Sequence, residues 1–489
     1  MLTVLAKTED WLPFIVIGIA AIVIGIAVVI VHLRELVVPR AVYTRLKRFF
    51  GAKALASLQT HEKSFPGYDL ASVNLALNQW FEQCCSRTIQ IGAYGYTRNL
   101  SDTLNSFAQA YQRKVKSSPP SHERLPVAED RDESFISNCI WACELAPSES
   151  EQAPEKLALM LGASTMQADY EEDMDARTSP ASSVTVSVAC RSREVADRVF
   201  SEIDSRRKKL SIYRGKVIDP VVGPGGIRTI GFKKIHPVQE RDLILTDHVK
   251  QVIHNSIIGF YRHQDTLRKV GVEMKRGILF HSPPGTGKTS ISLYLANLLP
   301  NFTVCFVSGR RLLYPRELCS MARYLQPTML VFEDIDLIAA ERDMNGLATV
   351  LGELMNQIDG CEPNDQVLFI MNTNSMDRIE SAVRNRPGRV DQIIHLALPD
   401  QPARLELLRH FTRNLTVDQS ELQKAAAGTD GATPATLKEV VKRAAVNSLD
   451  HDGAKPPDIG IRITASDLLL AYEQIQFMRP ARAPAADIL

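Results

Sequence analysis

The chain has 489 residues, 45% of them hydrophobic and 23% charged, with 57 Lys+Arg against 56 Asp+Glu. That length suits about three domains, and the composition is that of a globular protein. A formal net charge of +1 supplies no global basic field for nucleic acid, and eight scattered cysteines with no CxxC pair argue against a structural zinc and fit reduced thiols in a cytosol-like compartment.

Trp11 to Val31 is a run of 21 residues without a charge, mostly Ile, Val and Ala. It is long enough to cross a bilayer core, so residues 11–32 are expected to be a transmembrane helix. Lys7, Glu9 and Asp10 precede it and no cleavage region follows, which separates it from a signal peptide. Ala21 and Gly25 form a small-xxx-small pair, a weak sign of helix contact. Arg34, Arg40, Arg45, Lys47, Arg48 and Lys53 follow, against a single Glu35. The positive-inside rule then places the N-terminus outside and everything after residue 32 in the cytoplasm, as in a bacterial inner membrane. The alternative is the mitochondrial inner membrane.

Residues 33–225 carry no chemical motif and read as an α+β middle domain. Helical spacing is expected over 41–59, 70–83 and 193–210, strands over 88–96 and 183–189, and loops near 117–133 and 169–182. Cys139 and Cys143 are expected on one helix face as buried core thiols. Arg206-Arg207-Lys208-Lys209 reads as a solvated helix end that offsets the dipole, with lipid headgroups or an acidic partner as the alternative. Three Gly and two Pro within 220–226 mark a boundary. His61-Glu62 and His122-Glu123 lack the second His of H-E-x-x-H, since Phe65 and Pro126 stand there.

Residues 276–281 form a short apolar run, 290–296 have helical spacing, and between them stands Ser282-Pro283-Pro284-Gly285-Thr286-Gly287-Lys288-Thr289. A strand, a Gly-rich turn and a helix N-terminus aim backbone N–H groups at an anion. Lys288 would reach terminal phosphates and the Thr289 hydroxyl would hold Mg²⁺. Ser282 replaces the usual opening Gly. Strands are expected over 303–307 and 328–332, the latter ending in Glu333-Asp334-Ile335-Asp336. Glu333 is the expected metal-side acid and Asp334 the acid that polarises attacking water, while Asp336 reads as a structural or interface carboxylate. The next strand, 367–371, ends at Asn372-Thr373-Asn374. Asn374 is the expected water-orienting amide and Asn372 the competing position. Arg386 and Arg389 flank Pro387-Gly388 and can project to a neighbouring subunit's nucleotide.

With Leu398-Pro399-Asp400, Gly431-Ala432-Thr433, Leu437-Lys438 and Ile463-Thr464-x-x-Asp467, these elements make residues 240–478 resemble an AAA-family ATPase module. The resemblance implies an α/β P-loop fold: a parallel sheet with helices on both faces over 226–400, a helical lid over 401–478, and a tail at 479–489. It also implies ATP and Mg²⁺ as cofactors and a homo-oligomeric ring, a hexamer or heptamer, with Arg386 and Arg389 acting in trans. The Glu333-Asp334 order and the N-terminal anchor are similar to those of the membrane-anchored mitochondrial translocase type that assists Rieske protein assembly. The lid resembles that of general AAA unfoldases. Arg310-Arg311-Leu312-Leu313-Tyr314-Pro315 holds an aromatic where threading members place a pore residue, but no Gly follows. The expected function is ATP-driven remodelling, extraction or translocation of a protein substrate from a bilayer-anchored position. The alternatives are an ATP-gated switch or scaffold with slow hydrolysis, and a nucleic-acid remodeller.

Overall fold

The computed structural model describes residues 45–51, 54, 57–94, 117–146, 154–164, 183–223, 226–339, 344–377, 379, 390–451 and 461–478. The apolar segment 11–32, the acidic segment 169–182, and Arg386 and Arg389 lie outside these. Among the described residues no helix is long and apolar enough to cross a membrane. The chain divides into two compact units at Ile212/Tyr213, with Ile227–Thr229 grouped with the first.

The first unit is an antiparallel sheet packed with helices, two of them long. Its elements are β1 (Gln59–Pro66), α1 (Leu70–Cys84), β2 (Cys85–Tyr94), β3 (Ser117–Ser118), β4 (Ser121–Ala128), β5 (Arg131–Leu145), β6 (Lys156–Ser164), β7 (Ser183–Cys190) and α2 (Arg193–Lys209). The strand order is β1-β7-β6-β5-β2-β3, and β4 pairs with β5 beside that path. Side chains alternate across the sheet. Cys139, Trp141, Cys143 and Leu145 of β5 join Leu157, Leu159 and Leu161 of β6 under α1 and α2. Ile140, Ala142, Ala158 and Met160 point the other way, toward Leu46 and Phe49. Helix α1 buries Leu70, Val73, Leu77 and Trp80, one face at helical spacing. Asn74 ties that helix to β5: its amide donates to the Ile136 carbonyl at 2.8 Å and accepts from the Ile136 N–H at 3.0 Å.

Several expectations are corrected here. The stretch 117–133 is not a loop but β3, β4 and the start of β5. Strand β4 pairs only with β5 among the described residues, and such an edge tolerates the charges and the Pro126 that made it look like coil. Strands β5 and β6 form where no strand is expected. Cys139 and Cys143 share a strand face, not a helix face, and are fully buried. Burial pushes the Cys139 thiol up to about 12. Among the described residues of 41–59, 45–50 and Ala54 are helical, and the chain is already in β1 at Gln59. The basic cluster is not wholly solvated: Arg207 is buried and pairs with the fully buried Asp69 and with Asp204. His61 and His122 lie on strands β1 and β4.

The second unit opens with β8 (Val217–Gly223) and β9 (Gly226–Phe232). Of the stretch 220–226, expected as a boundary, residues 220–223 end β8 and Gly226 opens β9, and β8 pairs in parallel with β11 through Val217 and Val304. The following elements are α3 (Asp247–Ile253, running on through a π turn at His254–Gly259), α4 (Gln264–Lys269), β10 (Arg276–His281), α5 (Lys288–Leu298), β11 (Thr303–Val307), α6 (Pro315–Tyr324), β12 (Thr328–Phe332), α7 (Met344–Asp359), β13 (Val367–Thr373) and β14 (Gln392–His395). The sheet order is β14-β10-β13-β12-β11-β8-β9. Strands β11, β12 and β13 are buried at every residue, as parallel strands covered on both faces must be. Val304, Phe306, Met329, Val331, Leu368 and Ile370 face one core with Ile291 and Leu295 of α5. Four helices follow: α8 (Gln401–Phe411), α9 (Gln419–Gly428), α10 (Pro434–His451) and α11 (Ala465–Met478). They enclose their own core around Leu408, Leu437, Val440 and Leu468. The order places β13 between β10 and β12, so three strand tips distant in sequence converge at one sheet edge.

Candidate nucleotide site

The loop 282–287 runs from β10 into α5. Gly285 and Gly287 have φ of +81° and +106°, where a Cβ is strained. A Cβ on Gly285 would also lie 2.9 Å from the Ala435 Cβ, because the start of α10 docks there and the Ala435 N–H donates to the Gly285 carbonyl at 3.1 Å. The four-helix lid therefore rests on the loop backbone itself.

Lys288 begins α5 and is buried. Its ammonium donates to the Ser282 carbonyl at 3.0 Å, the Ser282 hydroxyl at 3.0 Å, the Pro283 carbonyl at 3.3 Å and Asn374 Oδ1 at 2.8 Å. Burial holds its pKa below the usual lysine range, against the pull of Asp334, Asp336 and Glu333. Ser282 is thus a lysine ligand as well as a loop residue, and its hydroxyl also bonds Thr286 Oγ1.

The acids divide the work. Thr289 Oγ1 donates to Glu333 Oε2 at 3.1 Å and Asn372 Nδ2 donates to the same oxygen at 3.0 Å. Glu333 Oε1 is buried without a hydrogen-bond partner. Burial raises the Glu333 pKa, partly offset by the Asn372 and Thr289 hydrogen bonds. Asp334 has φ +50°, the left-handed region. Such a residue costs about 1–2 kcal/mol and persists where its surroundings fix it. Here Asn374 Nδ2 donates to Asp334 Oδ1 at 2.7 Å while its Oδ1 accepts from Lys288, which settles the amide orientation. Asp336 is buried and accepts from Thr373 Oγ1 and the Asn374 N–H, both at 2.9 Å. It anchors the β13 tip.

Of the predicted site residues, Ser282, Lys288, Thr289, Glu333, Asp334 and Asn374 form one bonded cluster. Arg386 and Arg389 lie outside the described residues. Tyr314 is half-buried and caps α6 ahead of Pro315. Sequence reasoning missed the lid contact of Thr433 and Ala435, which the Thr433-Pro434 helix start could have signalled. It also missed the ring pair His281–His395, whose centroids lie 4.6 Å apart with the planes tilted by 30°.

The donor set fits Mg-ATP. Thr289 offers a hydroxyl and Glu333 an unpartnered carboxylate oxygen, both hard ligands. The α5 N-terminus and Lys288 suit phosphates. When bound, Mg²⁺ neutralises charge on the terminal phosphates. Residues 278–398 match the family described as ATPase family associated with various cellular activities (AAA). The chain is 32% identical over 231 residues to a proteasome-activating nucleotidase of Methanopyrus kandleri, covering 44% of this chain and 51% of that protein. It is 32% identical over 212 residues to the ATP-dependent zinc metalloprotease FtsH 2 of a Thermoanaerobacter species, covering 41% of each. It is 31% identical over 243 residues to the protein SAV of Sulfolobus acidocaldarius, covering 47% of this chain and 31% of that protein. The chain therefore spans about half or less of the length of these relatives. With its loop, acid pair and amide assembled at one sheet edge, this chain carries an ATP-hydrolysing domain of the AAA family, whose cofactors are ATP and Mg²⁺.

Proposed function

We propose that the protein is a membrane-anchored AAA ATPase that couples ATP hydrolysis to remodelling, extraction or translocation of a protein substrate. The observation that carries the motor reading is the amide of Asn374, which bridges Lys288 and Asp334. It links the phosphate-side cation to the hydrolytic acid, so a change at one is felt at the other. Asp334 takes the proton of the attacking water, Lys288 turns to the phosphates, and Arg386 and Arg389 of an adjacent copy stabilise developing charge. Rigid-body motion between copies in a ring of six or seven would pass to the 33–225 domain. The relatives whose names carry proteasome activation and proteolysis support a protein as the substrate. The uncharged run at 11–32 and its basic flank support a bilayer anchor with a cytoplasmic ATPase. The Glu333-Asp334 order adds the likeness to the mitochondrial translocase type.

Steady-state ATP turnover of the full chain in detergent or nanodiscs tests this. Turnover well above background that Asp334→Asn removes is expected; turnover at background, unchanged by Asp334→Asn, would sink the motor. That second result is what the rival slow switch predicts, and the four oxygens holding Lys288 favour it.

A further inference from the structure

We infer that Asn372 is the positioning residue for the metal-side carboxylate, fixing Glu333 so that one of its oxygens stays directed to the Mg²⁺ shell. This rests on the Mg-ATP reading of the site. Strands β12 and β13 run parallel with Phe332 opposite Met371, so the next pair in that register sets Glu333 beside Asn372. Residues level with each other on neighbouring strands share a face. Asn372 is fully buried in a strand whose preceding residues, Val367 to Met371, are all apolar. A hydrocarbon there would pack without desolvating an amide, and the amide's Oδ1 has no hydrogen-bond partner at all. What the side chain does instead is donate, to Glu333 Oε2 at 3.0 Å and to Ser292 Oγ at 3.3 Å.

Thr289 donates to the same Oε2. Two donors on one oxygen leave Oε1 as the carboxylate's remaining acceptor, and that atom is buried and unpartnered. The arrangement answers a problem this chain sets itself. A glutamate has one more rotatable bond than an aspartate, and an unheld carboxylate spends part of its time away from the metal. Partners of a ligating carboxylate set its orientation in this way. The neighbouring amide, Asn374, is engaged by Lys288 and Asp334. Each acid of the Glu333-Asp334 pair therefore has its own asparagine.

The test measures Mn²⁺ binding by electron paramagnetic resonance on the full chain loaded with a non-hydrolysable ATP analogue. Analogue affinity in EDTA and the melting temperature of the nucleotide-free protein are measured in parallel. Asn372→Ala is expected to weaken Mn²⁺ binding about tenfold, with analogue affinity in EDTA and melting temperature unchanged. Asn372→Leu, which suits an apolar strand, is expected to do the same and guards against a packing defect in the Ala variant. In a Glu333→Asp background, Asn372→Ala is expected to add no further loss, because the shorter carboxylate lies beyond the amide. Wild-type Mn²⁺ affinity in both Asn372 variants, or the same tenfold loss in the Glu333→Asp background, would overturn the assignment. A wild-type protein that binds no analogue even with Mn²⁺ would overturn the Mg-ATP reading beneath it and this inference with it.

Discussion

At the scale of single residues, the departures from a common phosphate loop have defined contacts. Ser282 is one of the groups that hold Lys288 inside the loop. A glycine there would keep the carbonyl contact and lose the hydroxyl one. One hydrogen bond of about 1 kcal/mol corresponds to about fivefold in affinity, so Ser282→Gly is expected to tighten nucleotide-analogue binding by about that factor. A fluorescence titration showing equal or weaker binding would deny the hydroxyl this role. His281, directly before Ser282, makes a tilted ring contact with His395. Its pKa is lowered by burial first, then by His395 and Lys288. The unfolded chain then binds a proton that the folded one resists, so stability falls as pH drops below the ordinary imidazole value and is flat above it. Melting temperatures across pH 5–8 for wild type and His281→Phe should differ in their acid limb, with the variant flatter (the pH window is about that of imidazole titration). Identical limbs would mean that other groups dominate.

At the scale of elements, the first unit hangs two helices on one sheet through a small number of buried polar links. Asp69 precedes α1, and its carboxylate meets Arg207 near the end of α2. Removing one partner of a buried ion pair costs about 3–5 kcal/mol when the other charge is left uncompensated. Arg207 keeps Asp204, so the loss of Asp69 should fall below that range yet well above a surface pair's. Asp69→Ala should therefore shift the urea midpoint strongly. Asp197→Ala removes only the exposed i,i+4 pair with Arg193 and should cost about 0.5 kcal/mol or less. Comparable midpoints for the two variants would mean that the Asp69–Arg207 pair is not the link between the helices. Legibility followed the same line between local and non-local. Helices α1 and α2 were readable because one face repeats at i, i+3, i+4. Strands β4, β5 and β6 were not, because charged residues on an edge strand resemble coil and β5 is buried on both faces over much of its length, which erases clean alternation. The 220–226 stretch read as a boundary because Pro and Gly break most elements, yet Pro220 lies within β8.

At the scale of the whole molecule, the proposed ring makes catalysis depend on neighbours. Lys288→Ala is expected to abolish nucleotide binding, while Arg389→Ala keeps it and loses hydrolysis. Mixing the two should restore part of the turnover, since an intact loop in one copy meets an intact arginine from the next. The measurement is ATP turnover against mixing ratio. No recovery at any ratio, or full activity of Arg389→Ala alone, would remove the trans assignment.

By itself the sequence determined the local chemistry: a Gly-rich turn at a helix N-terminus, a hydroxyl after a lysine, two carboxylates at the end of an apolar strand. Each is a property of a few consecutive residues, governed by backbone geometry and helix dipole. Which amide serves which acid was decided by tertiary structure alone. Strand order places β13 between β10 and β12, and parallel register then sets Asn372 against Glu333 and Asn374 between Lys288 and Asp334. Asn374 was the expected amide and Asn372 the competing one; Asn372 lies inside β13 level with Glu333, while Asn374 lies one residue past the strand's end, between Lys288 and Asp334.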